Sequence, residues 1–144
     1  MTADLAMMPA HELVKLFKAR KASPVEATKA ALARVDAFNG QLNAFQHLDP
    51  DSAMRQARAS EKRWKKGEPL SPLDGVPTSI KDTTQVKGWP TRYGSHATDE
   101  APADDTDAAP TDLGKALRAA FALAVHRDGS PTRVAMPVVG ARRV

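Results

Sequence analysis

Apolar residues fall at helical spacing through the first third of the chain; that spacing then gives way to turns and short apolar runs. Leu13, Leu16 and Phe17 mark one face of a helix over Leu5 to Lys18. The next helix start is written more sharply. Ser23-Pro24-Val25-Glu26 has the form of a capping box: Ser23 accepts a backbone N–H, Glu26 reaches back to Ser23, and Pro24 takes the first helical position, where no N–H is needed. Val25, Thr28, Ala31, Leu32, Val35 and Phe38 then share a face, and Asn39-Gly40 offers a left-handed stop. Gln41 to Leu48 reads as a short strand bounded by Asn-Gly and Asp49-Pro50, although Leu42, Ala44 and Gln46 do not alternate cleanly. Asp49 caps a third helix with Pro50 at its first position, ending near Gly67.

Beyond Pro69 the pattern changes. Pro72-Leu73-Asp74-Gly75 is a turn, Val76 to Asp82 is a β-type stretch, and Gly88, Pro90 and Gly94 mark an irregular loop. Ala97 to Asp112 holds six acidic residues and no large apolar side chain, which predicts a linker or an acidic loop. Thr111 is placed to cap a last helix with Leu113, Leu117, Phe121 and Val125 on one side and Gly129 after it. Arg133 to Val144 shows no period, and no internal repeat is visible.

Composition narrows the class only a little. At 144 residues, 42% hydrophobic and 26% charged, the chain suits one small domain, but aromatics at 5% leave few large anchors for its core. Lys and Arg exceed Asp and Glu by 21 to 17, a mild +4 that names no partner. With no cysteine, disulfides and thiolate metal sites are excluded. Met1-Thr2-Ala3-Asp4 lacks the layout of a signal peptide, and no apolar run approaches membrane-spanning length. A cytoplasmic protein without a membrane partner is the expectation.

Candidate chemistry is sparse. Glu61-Lys62-Arg63-Trp64-Lys65-Lys66 has basic side chains flanking an aromatic, as in a small nucleic-acid-binding domain. Cations also suit the C-terminus of a helix, with Trp64 packed inward, and that reading is preferred; nucleic acid is not the expected partner. His11, His47, His96 and His126 lie far apart without metal spacing, and Asp99, Glu100, Asp104, Asp105 and Asp107 lack the glycine and spacing of a calcium loop. No metal or other cofactor is expected. Lys81 is the odd residue: it ends a β-type segment, precedes a loop rich in glycine and threonine, and stands next to Asp82. Read from local chemistry alone, it is a surface lysine paired with Asp82.

A resemblance changes that reading. Leu73, Gly75, Val76, Pro77, Ile80, Lys81 and Asp82, followed by Lys87, Gly88, Thr91, Gly94 and Ser95, are similar to the segment around the catalytic lysine of the amidase-signature family. The Ser-Pro-Val-Glu helix start, Asn43-Ala44-Phe45 and the Asp49-Pro50 helix resemble it too, so that the likeness covers roughly residues 5 to 110. It implies an α/β fold, of which this chain carries the N-terminal helices and first strands. It also implies amide hydrolysis by a Ser–cis-Ser–Lys triad, with Lys81 as the base and a small-molecule amide as substrate. The lysine of such a triad must be neutral to accept a proton. Its ordinary pKa is about 10.4, so service near pH 7 takes a depression worth about 4–5 kcal/mol, which burial usually provides.

The later sequence departs from the family pattern. No Gly-Gly-Ser-Ser-Gly segment follows, and of the two serines after Lys81, Ser95 matches a loop serine and Ser130 lies in a turn-like Asp-Gly-Ser-Pro. Residues 1–110 are therefore expected to be an amidase-signature segment, and residues 111–144 a divergent or out-of-frame tail. The chain by itself is expected to be inactive, with Lys81 at least partly exposed. It is then either the remnant of a disrupted amidase or a binding module completed by a separate chain that supplies the serines.

Overall fold

The computed structural model describes residues 4–95, 97–98 and 101–104, and the backbone of Ala124 and Val125. Helices come first. A 3₁₀ turn at Leu5–Met7 leads into α1 (Ala10–Lys18), then α2 (Pro24–Leu42), strand β1 (Phe45–His47), α3 (Pro50–Lys66), β2 (Ile80–Lys81) and β3 (Ala124–Val125). The strands form one sheet in the order β1-β3-β2, with β3 antiparallel to β1 and parallel to β2. Among the described residues no helix is long and apolar enough to cross a membrane.

Local chemistry explains most of these boundaries. The expected helix over Leu5 to Lys18 is broken at Met8, whose extended backbone (ψ 137) suits the residue before a proline, and α1 restarts after Pro9. It ends with Arg20 in the left-handed region (φ 56), where Lys21 N–H bonds the Leu16 carbonyl at 2.9 Å and Arg20 N–H bonds Phe17 at 3.1 Å. The Arg20 guanidinium also donates to the Lys65 carbonyl at 3.1 Å, closing the exposed end of α3.

The capping box of α2 forms as read from the sequence. Glu26 N–H reaches Ser23 Oγ at 3.2 Å, and Ser23 N–H reaches Glu26 Oε2 at 2.8 Å. The helix does not stop at Asn39-Gly40. It continues to Leu42 and is ended by Asn43 (φ 44), while the Asn39 amide clamps the returning strand through Phe45 N–H at 2.8 Å and Phe45 carbonyl at 3.1 Å. The predicted strand over Gln41 to Leu48 shrinks accordingly to β1. Asp49, Pro50 and Gly67 (φ 79) bound α3 as expected, with Asp49 accepting Ser52 N–H at 2.8 Å.

Small residues compensate for the shortage of aromatics. Ala53, Ala57 and Ser60 make a buried stripe on α3, and α2 buries Pro24, Ala27, Thr28 and Val35, so the two helices pack with little side-chain bulk between them. One core cluster gathers Leu13, Phe17, Ala27 and Val76, flanked by Trp64 and Leu73; a second holds Val35 and Ala53 against Leu32, Phe45 and Leu48. Phe17, 2% exposed, meets Trp64 edge-on at 6.2 Å between centroids, and burying such a ring stabilises by about 1.5–3 kcal/mol. Phe38 was expected on the buried face of α2 but is 46% exposed, under the Arg34 guanidinium at 5.4 Å.

Three further expectations change. Of Val76 to Asp82, only Ile80 and Lys81 pair as strand. The described part of Ala97 to Asp112 is no free linker: Ala103 bonds back to Gly88 and Trp89, each at 2.9 Å. The last helix was expected to run through Val125, which instead lies in β3 and pairs with Phe45 and Lys81; residues 111–123 and 126–144 lie outside the described residues.

The capping geometry carries a direct test. Ser23→Ala is expected to cost about 0.5–2 kcal/mol in a urea melt. Lys21→Ala, just outside the box, is expected to cost much less. Equal losses would mean that the box does not set the start of α2.

Candidate active site around Lys81

The segment that delivers Lys81 is anchored well before the lysine. After Gly67 the chain turns back along α3 and forms the tight turn 71–75, closed by Asp74 N–H to Ser71 (3.2 Å) and Val76 N–H to Leu73 (3.1 Å). Asp74 is 0% exposed and fully engaged. Arg63 grips it in a two-pronged pair, Nε to Oδ2 and Nη2 to Oδ1, both 2.7 Å. Leu70 N–H adds a bond at 3.0 Å, and the Trp64 indole N–H donates to the Asp74 carbonyl at 2.8 Å.

Gly75 follows at φ 82, and a Cβ there would come within 2.6 Å of the Pro24 side chain and collide with the Ser60 hydroxyl. Glycine is therefore required both for its conformation and for its size. The Ser60 hydroxyl has no partner of acceptable hydrogen-bond geometry among the described residues. It nonetheless lies near enough to Asp74 to favour the carboxylate.

Burial alone would push the Asp74 carboxyl upward, but the Arg63 bonds, Leu70 N–H, Ser60 and the guanidinium charge outweigh it and hold it below the usual carboxylate range. Arg63 is shifted upward in turn by Asp74. Lys65 pairs with Glu61 at 2.9 Å, an exposed contact. In the basic run, then, Arg63 is turned inward to a carboxylate, Lys65 is paired along the helix, and Trp64 packs inward as expected.

Beyond Val76 the chain runs through Pro77 to β2, where Lys81 is exposed as expected. The pairing of Lys81 with Asp82 read from local chemistry does not occur. Asp82 is buried, and its oxygens take Arg92 N–H at 2.8 Å and Gly94 N–H at 3.1 Å, while its carbonyl takes Tyr93 N–H at 3.1 Å. Ser95, beside this cradle, accepts Ala97 N–H on its hydroxyl at 3.1 Å, and Thr98 Oγ1 lies 2.8 Å from the carbonyls of Arg92 and Ser95. Trp89 packs against His47 at 4.8 Å, tying the loop to β1.

His11 is exposed, and His96 and His126 fall outside the described residues, as do Asp99, Glu100, Asp105, Asp107 and Ser130. Among the described residues no three metal-ligating side chains cluster. Sequence reasoning missed the Arg63–Asp74 pair and the backbone role of Asp82. The turn signal at Asp74 and the neighbouring charge at Lys81 gave each aspartate a simpler explanation.

A strand that ends on an exposed lysine thus follows the three helices and opens into a backbone-pinned glycine loop, an α/β arrangement. The family described as Amidase matches residues 26–122, and the chain belongs to this amidase-signature family. A glutamyl-tRNA(Gln) amidotransferase subunit from Acidothermus cellulolyticus is 37% identical over 142 residues, covering 91% of this chain and 28% of that protein. Its namesake from Chloroflexus aggregans is 49% identical over 71 residues, 49% of this chain and 14% of the relative. A bacterial aryl acylamidase of the amidase-signature enzymes superposes with a TM-score of 0.71 at 26% identity, over 85% of this chain and 26% of its own. The chain thus spans well under a third of the length of these relatives.

The buried pair predicts an acid limb. A carboxyl whose folded pKa is depressed adds stability that is fully present above its unfolded value, about 3.9, and is lost as pH falls through the folded value. Asp74→Asn should lower stability at pH 7 by about 2 kcal/mol, because asparagine keeps one acceptor for Arg63 but loses the charge and the second acceptor. The gap between the two proteins should narrow below about pH 4. Urea melts at pH 7 and pH 3 check this; a gap independent of pH would contradict it.

Proposed function

We propose that this chain is the N-terminal, lysine-bearing part of an amide hydrolase, with Lys81 as the base of a Ser–cis-Ser–Lys triad. The observation that carries the reading is the placement of Lys81: exposed at the end of β2, next to the loop pinned by Asp82, within the stretch matched by the family. In this chemistry the neutral amine takes a proton from a bridging serine, which takes one from the nucleophilic serine. That serine then attacks the amide carbonyl, and the proton leaves with the departing amine. The substrate class is a small-molecule amide.

The sequence contains no Gly-Gly-Ser-Ser-Gly stretch, and the Ser95 hydroxyl is engaged in its own turn. Both triad serines are therefore supplied from outside residues 1–110, which form the segment carrying the site. Residues 111–144 are the proposed tail, whose backbone at 124–125 provides β3. The 144-residue chain alone should not hydrolyse a chromogenic anilide above background.

The positive test is a graft. Residues 26–104 replace the aligned stretch of the Acidothermus cellulolyticus relative, and amidotransferase activity is measured with and without Lys81→Ala. The graft should stay active, and losing the base should cost about 10²–10⁴-fold. A folded graft equally active with alanine at that position would remove Lys81 from the mechanism.

A further inference from the structure

Asp82 is 4% exposed, and its acceptors meet three consecutive backbone N–H groups, those of Arg92, Tyr93 and Gly94. These donors converge because Tyr93 (φ 54) and Gly94 (φ 70) both hold left-handed backbone, and such dihedrals can turn successive N–H groups toward one point to make a concavity for an anion. Here Arg92 and Gly94 N–H take the protein's own carboxylate, and Tyr93 N–H between them takes the main-chain carbonyl of the same residue. On its other side Asp82 sits inside the turn that Thr84 N–H closes on the Lys81 carbonyl at 3.0 Å. One residue thus links the backbone of Lys81 to the loop that leads into Gly94-Ser95.

Resting on the proposed role of Lys81, we propose that Asp82 is a positioning residue: its carboxylate, seated in the 92–94 cradle, fixes the end of β2 and so the point from which Lys81 projects. A carboxylate suits this task because both of its oxygens accept, and bonds to a charged acceptor are stronger than neutral ones. Asparagine offers one acceptor and turns an NH₂ toward the second N–H. Tyr93 is held in a backbone region that costs a non-glycine residue free energy, and its N–H and those on either side are all bonded to Asp82.

The test uses the full chain, with Asp82→Ala and Asp82→Asn compared to the parent by native-state amide exchange. A second readout is the amine-labelling rate of Lys81 relative to Lys29, an exposed lysine on α2. In Asp82→Ala, exchange should accelerate by about ten-fold or more at Arg92, Tyr93, Gly94 and Thr84, while α2 and α3 stay within about two-fold. The Lys81-to-Lys29 ratio should change as well, and added formate, which supplies the carboxylate that alanine lacks, should restore both readouts. Asp82→Asn should fall between parent and alanine, and it carries the test if the alanine variant does not fold.

Acceleration confined to 92–94, with Thr84 and the labelling ratio unmoved, would overturn the proposal. So would a uniform acceleration across the whole chain, which is what a merely structural residue gives. Neither readout requires amide hydrolysis, so failure here is separate from failure of the graft.

Discussion

The arrangement depends on an ion pair between a buried carboxylate and a half-buried guanidinium. Arg63, on the last turns of α3, holds Asp74 with two bonds of 2.7 Å, and around that carboxylate the chain reverses from helix to the segment that carries Lys81. Burying a carboxylate costs several kcal/mol, which a cation offsets only when the geometry is good and the remaining lone pairs are filled. Here Leu70 N–H fills one, and the Trp64 indole secures the carbonyl of the same residue. The outcome is specific more than strong: Asp74 has one place to be, and the turn 71–75 follows from it.

The surrounding core is shaped to let that turn come close. Aromatics are only 5% of the sequence, and α2 and α3 meet through Ala27, Thr28, Ala53, Ala57 and Ser60. Small residues leave the backbone of Gly75 in contact with Pro24 and Ser60, where a single methyl group would not fit. The capping box at Ser23 therefore does two things. It starts α2, and it places Pro24 as the surface on which the Lys81 segment rests. Packing close to this density tolerates little change in volume.

Where a signal was local, the sequence was legible. Ser23-Pro24-Val25-Glu26, Asp49-Pro50 and Gly67 each act through neighbours within one turn, and each forms as read. Asn39-Gly40 misled because Asn39 is used at a distance, on the backbone of Phe45, and the helix runs on to Asn43. Val125 misled for a related reason: apolar spacing predicted a helix, and sheet pairing with β1 and β2 took precedence. The site was half legible. The motif around Lys81 pointed to the residue, but nothing in residue spacing shows that Arg63 reaches Asp74 or that the Asp82 carboxylate takes the backbone amides of Arg92 and Gly94. Those are contacts across turns, set by tertiary packing.

Arg63 and Asp74 act as one unit, which a double-mutant cycle measures. Arg63→Met, Asp74→Asn and the double variant are compared with the parent by urea unfolding at pH 7. If the pair anchors the turn, each single change strips its partner of a charge-assisted bond, and the double variant should lose less than the sum of the two by about 2 kcal/mol. Losses that simply add would show that the two side chains stabilise the fold independently, and the account of how Lys81 is held in place would fail with them.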